Sequence, residues 1–368
     1  MKKLKLVAIL GLIAVIMVAI VIIPGCKNIP AETTAAAETT AAAAETTAAA
    51  AETTAVAAET TAVAAEPLEI VVIVKLEHPW FDDMKKGIEL AAKELNVNAY
   101  MVAPAEADAA QQIALIEASI AKGVDAICVV PNDPAALEPV LKKAQDAGII
   151  TITHEATSEQ NVSYDIEAFD NALLGRRFID NIVKYGGDKQ NYAYMVGSLT
   201  AESHMERFNS AIKYAAEKYP GLNLLTDPPI VSKEDTQVAY EKTLELIAKY
   251  GDKLNSIIGS SAAEPIGVGN AIEEKGRIGS LFFVGSSIPS MVKDYVLNDT
   301  VKSISLWRPA DAGYVQVWLA KQLIEGKTIE SGQEIPKFGK IEIKGKVIYG
   351  GESGCIDWNL ENMDEFYF

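Results

Sequence analysis

From Leu68 onward, short runs of β-branched residues alternate with stretches of helical period, and that alternation leaves few folds open. Ile70-Val71-Val72-Ile73-Val74 is an unbroken apolar run of strand length, the pattern of a strand buried on both faces. Trp80 to Leu95 then sets Met84, Ile88, Ala91 and Leu95 on one helical face. A strand is expected at Ala99 to Val102, a helix at Ala109 to Lys122 and a strand at Ala126 to Val130. A helix at Ala135 to Ala147 and a strand at Ile149 to Thr153 close the series. Residues 168 to 307 repeat the rhythm, with strands expected near Tyr192 to Val196, Leu222 to Leu225, Ser256 to Ile258, Leu281 to Val284 and Ser303 to Leu306. Strands spaced by helices form parallel sheets covered on both faces. The expected fold class is therefore α/β, with two doubly wound parallel-sheet lobes facing each other. At 368 residues, 49% of them hydrophobic, the chain can fill two cores.

What precedes Leu68 is of another kind. Lys2, Lys3 and Lys5 form a basic start, Leu6 to Ile23 is uncharged and apolar, and Ile23-Pro24-Gly25-Cys26 follows. That layout is a secretory signal, and its end resembles a bacterial lipobox, in which Cys26 takes the lipid. The alternative is an uncleaved membrane span, for which the run is just long enough. Ala-Glu-Thr-Thr then recurs at Glu32, Glu38, Glu45, Glu52 and Glu59. Only Val56 and Val63 could act as larger apolar knobs, so residues 26–66 read as a solvated spacer rather than a coiled coil.

Charge and cysteine content remove several classes of function. The formal net charge is -17, which phosphate backbones repel, so no nucleic-acid partner is expected. Cys26, Cys128 and Cys355 make neither a disulfide framework nor a ligand cluster. No Gly-Lys-Ser/Thr phosphate loop and no Gly-x-Ser-x-Gly elbow occurs, and Gly267-Val268-Gly269 lies inside a helical stretch. The chain reads as a binding protein, not an enzyme, with no cofactor implied.

In open parallel sheets ligands sit beyond the carboxyl ends of the strands. Lys75, Glu77, His78, Trp80 and Phe81 follow the first strand, Asn132 and Asp133 the third, and His154 and Glu155 the fourth. In the second series Ser203, His204 and Arg207 follow one strand, Ser260, Ser261 and Ala262 another, and Ser286 and Ser287 the next; Trp307 and Arg308 end the last. Aromatic faces can cover the C–H faces of a polyol while charged and hydroxyl groups bond its hydroxyls. The three histidines, with Glu155, also compose a conceivable zinc set.

The stretch Ile73-Val74-Lys75-Leu76-Glu77-His78-Pro79-Trp80-Phe81 resembles the start of type I periplasmic binding proteins of the ribose-binding kind. Val284 to Ser290, Thr300 to Trp307 and Glu361 to Phe368 are similar to the branch that holds autoinducer-2-binding and rhamnose-binding proteins. The resemblance implies a three-crossover hinge near residues 154–157, 307–309 and 331–336. One lobe would comprise 68–155 plus 308–330, the other 156–307 plus 331–368. It also implies a monomer that hands a sugar-like ligand to ABC permease subunits from a lipid anchor outside the cytoplasm, or an autoinducer-2 receptor of the same fold. Lys75, Trp80, Phe81, Glu155, Ala262, Arg207 and Ser287 match family positions, whereas Ser203, His204 and Ser260 depart from the autoinducer-2 pattern.

The leader gives a first prediction. Cys26→Ala should leave an unprocessed precursor that takes up no fatty-acid analogue in labelled cells; equal label in the variant would refute lipidation at Cys26.

Overall fold

The β-branched run after Leu68 forms β1 (Glu69–Ile73), buried along almost its whole length. A computed structural model describes residues 67–351, 354–365 and 368; the expected leader, Cys26 and the 26–66 spacer lie outside them. After β1 come α1 (Pro79–Leu95), β2 (Asn98–Val102), α2 (Ala109–Lys122), β3 (Ala126–Val129), α3 (Pro134–Asp146), β4 (Ile150–His154) and β5 (Tyr164–Glu167). The chain continues through α4 (Asn171–Gly186), β6 (Asn191–Val196), α5 (Glu202–Lys218), β7 (Asn223–Leu224), β8 (Ile230–Val231) and α6 (Thr236–Tyr250). Next are β9 (Ser256–Gly259), α7 (Glu264–Glu274), β10 (Phe282–Gly285), α8 (Pro289–Leu297), β11 (Val301–Leu306) and α9 (Pro309–Ile324). Short strands finish it: β12 (Glu334–Ile335), β13 (Gly339–Lys340), β14 (Glu342–Lys344), β15 (Val347–Tyr349) and β16 (Ile356–Asn359).

The strands make two large sheets, one per lobe. The first runs β14-β15-β5-β4-β3-β1-β2, parallel except for the β14–β15 hairpin. The second runs β16-β11-β10-β9-β6-β7, with β8 also on β6, and is parallel except for β16. Helix starts follow local chemistry: the Asp108, Asp133, Asp170 and Asp235 side chains each accept a first-turn N–H, so Asp133 serves as a cap.

The pairing differs from the expected lobe boundaries. Strand β5 pairs in parallel with β4, and β15 pairs with β5, so 164–167 and 342–349 extend the first sheet rather than the second. The chain adds one more strand to the edge of β4 before crossing, and returns to that edge after α9. The first and third crossovers therefore run side by side, and the Gly350 N–H donates to the Glu167 carbonyl at 2.8 Å. The second crossover, at Trp307 and Arg308, leads into α9, which packs on α1 and against β4, β1 and β3.

Helices α1 and α9 meet backbone to backbone. A Cβ on Gly87 would lie 1.7 Å from the Ala310 carbonyl oxygen, so only glycine allows this approach. Gly87→Ala should destabilise the chain by about 3 kcal/mol, the upper range for overpacking. Urea unfolding checks this, and an unchanged midpoint would mean that the two helices can separate without cost.

Candidate functional site

The carboxyl ends of both sheets converge on one small cavity between the lobes. Its wall consists of Lys75, Leu76, His78, Trp80, Phe81 and Glu155 from the first lobe with His204, Arg207, Glu234, Ser260, Ala262, Ser286 and Trp307 from the second. Its volume is about 30 Å³, room for little more than a water or two. The lobes are thus closed on each other. Two polar contacts outside the cavity join them as well: Thr200 donates to the Asn132 carbonyl at 3.3 Å, and Thr157 to the Glu202 carboxylate at 2.7 Å.

Glu155 is the pivot of the cavity. It follows β4 at φ 63, the left-handed region that a glutamate rarely occupies. From there one carboxylate oxygen takes Lys75 Nζ at 3.1 Å and the other Arg207 Nη2 at 2.7 Å. Burial pushes this carboxyl up, but Lys75 and Arg207 outweigh burial and hold it well below the usual carboxylate range. Arg207 is 2% exposed, which disposes of a surface-charge role. Its Nε donates to Asn171 at 2.8 Å and its Nη1 to the Ser260 carbonyl at 3.1 Å, while its Cζ lies 5.1 Å from the centroid of the Trp307 ring.

The aromatic wall is equally fixed. Trp80 and Trp307 meet edge to face with centroids 5.4 Å apart. Trp307 Nε1–H and Ser286 Oγ are buried without a hydrogen-bond partner among the described residues. Such groups cost free energy until something bonds them, and both line the cavity.

The three histidines do not assemble as a metal set. His78 caps α1 by accepting the Trp80 N–H on Nδ1, and His204 accepts the Gly197 N–H the same way. His154 instead donates from Nδ1 to the Ile166 carbonyl at 2.7 Å. Backbone groups thus occupy all three Nδ1 atoms, and no group of three potential ligands able to hold a metal occurs among the described residues. Burial lowers the pKa of each ring, that of His204 to about 4 against an opposing pull from Glu234.

Of the residues expected at the site, His154, Ser203, Ser261 and Ser287 stand behind the wall rather than in it. His154 packs against Trp307 with centroids 6.1 Å apart. Ser203 is buried, and its hydroxyl has no hydrogen-bond partner among the described residues. Ser261 donates to Glu234, and Ser287 to the Ala262 carbonyl. One step along the chain, Ser286 takes the wall position that Ser287 was expected to hold. Glu234 was not foreseen, because its strand β8 spans only Ile230–Val231 and carries almost no periodic signal. Had that pair been read as a strand, the same strand-end rule would have found it.

Neutral, buried His204 has a pH signature. Its ring takes a proton near 6.5 when unfolded and near about 4 when folded. The unfolded chain binds more protons between those values, so the stability due to His204 is complete above about 6.5 and lost as pH falls to about 4. Across that window the wild type should lose roughly 3 kcal/mol relative to His204→Gln. Urea unfolding of both proteins checks it, and parallel curves would refute a neutral buried ring.

A family model described as the periplasmic binding protein domain matches residues 70–328. The ribose import binding protein of Bacillus subtilis (strain 168) is 24% identical over 266 residues, 71% of this chain and 83% of that protein. The D-allose-binding periplasmic protein of Escherichia coli (strain K12) is 25% identical over 279 residues, 72% and 86% of the two chains. LsrB from Clostridium saccharobutylicum in complex with AI-2 has the same fold at a TM-score of 0.75 and 20% identity, covering 81% of this chain and 99% of that one. A solute-binding protein from Clostridium phytofermentas with bound L-rhamnose also gives 0.75, at 21% identity over 82% and 98%. With two parallel-sheet lobes closing a polar and aromatic cavity at their strand ends, and a family model spanning most of both, this chain belongs to the periplasmic binding protein family, whose members bind solutes rather than transform them.

Proposed function

We propose that the chain is the extracytoplasmic binding lipoprotein of an ABC importer, and that it holds a small sugar or sugar-like polyol between its lobes. The chain is not an enzyme. The observation that carries the reading is the wall itself: Lys75, Glu155, Arg207 and Glu234 beside Trp80, Phe81 and Trp307, contributed by both lobes. Aromatic faces cover apolar ring faces, and buried charged groups bond hydroxyls strongly. The unpartnered Trp307 Nε1–H and Ser286 Oγ support a ligand that offers both acceptors and donors. The ligands for which the similar proteins are named or with which they were solved, ribose, allose, L-rhamnose and AI-2, are small and oxygen-rich. The leader and Cys26 support the anchored location.

A cavity of about 30 Å³ cannot take such a molecule, so the lobes must part to admit it and close again around it. Closure then depends on contacts that the ligand makes only with both lobes together.

A thermal-shift screen of the purified chain against pentoses, hexoses, deoxysugars, sugar alcohols and autoinducer-2 tests the reading. A ligand at about a hundred times its dissociation constant adds about 2.7 kcal/mol and raises Tm by several degrees. Arg207→Ala should weaken that ligand at least about tenfold and reduce ligand-induced compaction in small-angle scattering, since it removes a buried charged partner. No shift with any of these classes would overturn the sugar reading.

A further inference from the structure

We propose that Glu234 makes this site reject acidic solutes, so that its ligand is an uncharged polyol rather than a sugar acid or sugar phosphate. The inference rests on the sugar-type reading of the cavity and adds to it a charge rule and the residue that enforces it.

Glu234 lines the inner cavity, and it also lines a second, outer cleft of about 510 Å³ between the lobes. It stands where the two spaces adjoin. The outer cleft carries Glu106, Asp108 and Asp133 from the first lobe and Asp235 from the second, against Lys233 as its basic residue. An anion entering there meets like charge before it reaches the inner wall.

The placement of Glu234 is built into the fold. Lys233 and Glu234 are both left-handed, at φ 59 and φ 58, which turns the chain sharply after β8. A Cβ on Gly197 would lie 2.5 Å from Glu234 Oε1, so glycine there makes room for the carboxylate. Ser261 donates to Oε2 at 2.8 Å, whereas Oε1, 3.8 Å from His204 Nδ1, accepts no hydrogen bond from the described residues. His204 and His78 both carry their proton on Nε2, because backbone N–H groups occupy Nδ1. That end of the cavity therefore combines a carboxylate acceptor with neutral imidazole N–H groups, a set suited to hydroxyls.

The cations do not offset this for an anionic ligand. Lys75 and Arg207 both donate to Glu155, and Arg207 also to Asn171 and the Ser260 carbonyl, so their charges are compensated within the wall while their remaining N–H groups can serve hydroxyls. With the histidines neutral, Lys75 and Arg207 balance Glu155 and Glu234. A neutral ligand keeps the closed cavity balanced, while a carboxylate or phosphate adds a buried charge beside Glu234.

Calorimetry on the full chain with matched probes tests this: D-galactose with D-galacturonate, D-ribose with D-ribose 5-phosphate, and L-rhamnose and xylitol as further neutral probes. The wild type should bind the better neutral probe at least about a hundredfold more tightly than its acidic partner. Glu234→Gln should narrow that ratio at least about tenfold, Glu234→Ser should do the same as a second uncharged variant, and Glu234→Asp should retain it. An unchanged ratio in folded Glu234→Gln or Glu234→Ser, or a wild type that prefers the acidic partner, would overturn the inference and leave the sugar reading standing. A wild type that binds none of these probes counts against the sugar reading itself.

Discussion

A carboxylate shut between two lobes stays ionised only if cations meet it there, and Glu155 draws one from each lobe. Lys75 reaches it from the first lobe and Arg207 from the second, at 3.1 and 2.7 Å. Its left-handed backbone costs on the order of 1–3 kcal/mol, held in place by those two bonds. Buried ion pairs return little net stability, because the Coulomb gain mostly repays desolvation. Closure of the lobes alone is therefore only weakly favoured by this cluster, which leaves a ligand's own contacts to decide it. Arg207 in turn depends on its scaffold: a Cβ on Gly175 would lie 2.1 Å from the Arg207 carbonyl oxygen, so α4 and α5 must touch to seat it.

The same cluster reaches into the hinge. Asn171, the first residue of α4, accepts from Arg207 and donates to Glu167 on β5 at 2.9 Å. Glu167 shares its side of β5 with Asp165, and burial pushes both acids up: Asp165 to about 7 against the hydrogen bonds it takes part in, and Glu167 further through the neighbouring Asp165 charge. A carboxyl raised in the folded state favours the fold at low pH and loses that advantage as pH rises through its folded value. Its sign is opposite to that of His204, whose contribution disappears as pH falls. Between about 4 and 6.5 the two effects oppose each other.

The sequence disclosed the strands and helices that carry strong period. The helix expected at Ala109 to Lys122 is α2, and Gly267-Val268-Gly269 lies within α7. Sheet edges were not legible. Strand β5 is four residues with two buried acids, and β14 and β15 are three residues each, paired as an antiparallel hairpin. Such strands are defined by what they pair with, not by their own periodicity. The wall of the cavity was legible where a long strand ended beside it, as at Lys75, Glu155 and Trp307. It was obscured where the strand was two residues long, as before Glu234, and at Ser286 and Ser287, where one step along the chain separates wall from support.

Trp307 joins these observations, since it is cavity wall and crossover together. Its ring touches Trp80 from the first lobe and Arg207 from the second, and the next residue, Arg308, opens the turn into α9. The other two crossovers lie against each other, with Gly350 and Gly354 close to the Ala168 carbonyl oxygen. A solute too large for about 30 Å³ must displace some part of the wall. The edge-to-face Trp80 contact is weaker than a backbone bond and crosses between lobes, so the wall opens along that seam more easily than within either sheet. Movement at Trp307 is movement of the hinge strand itself. On the proposed reading, a ligand held between Trp80 and Trp307 would set the lobe angle directly, with no separate element needed to relay its presence to the hinge.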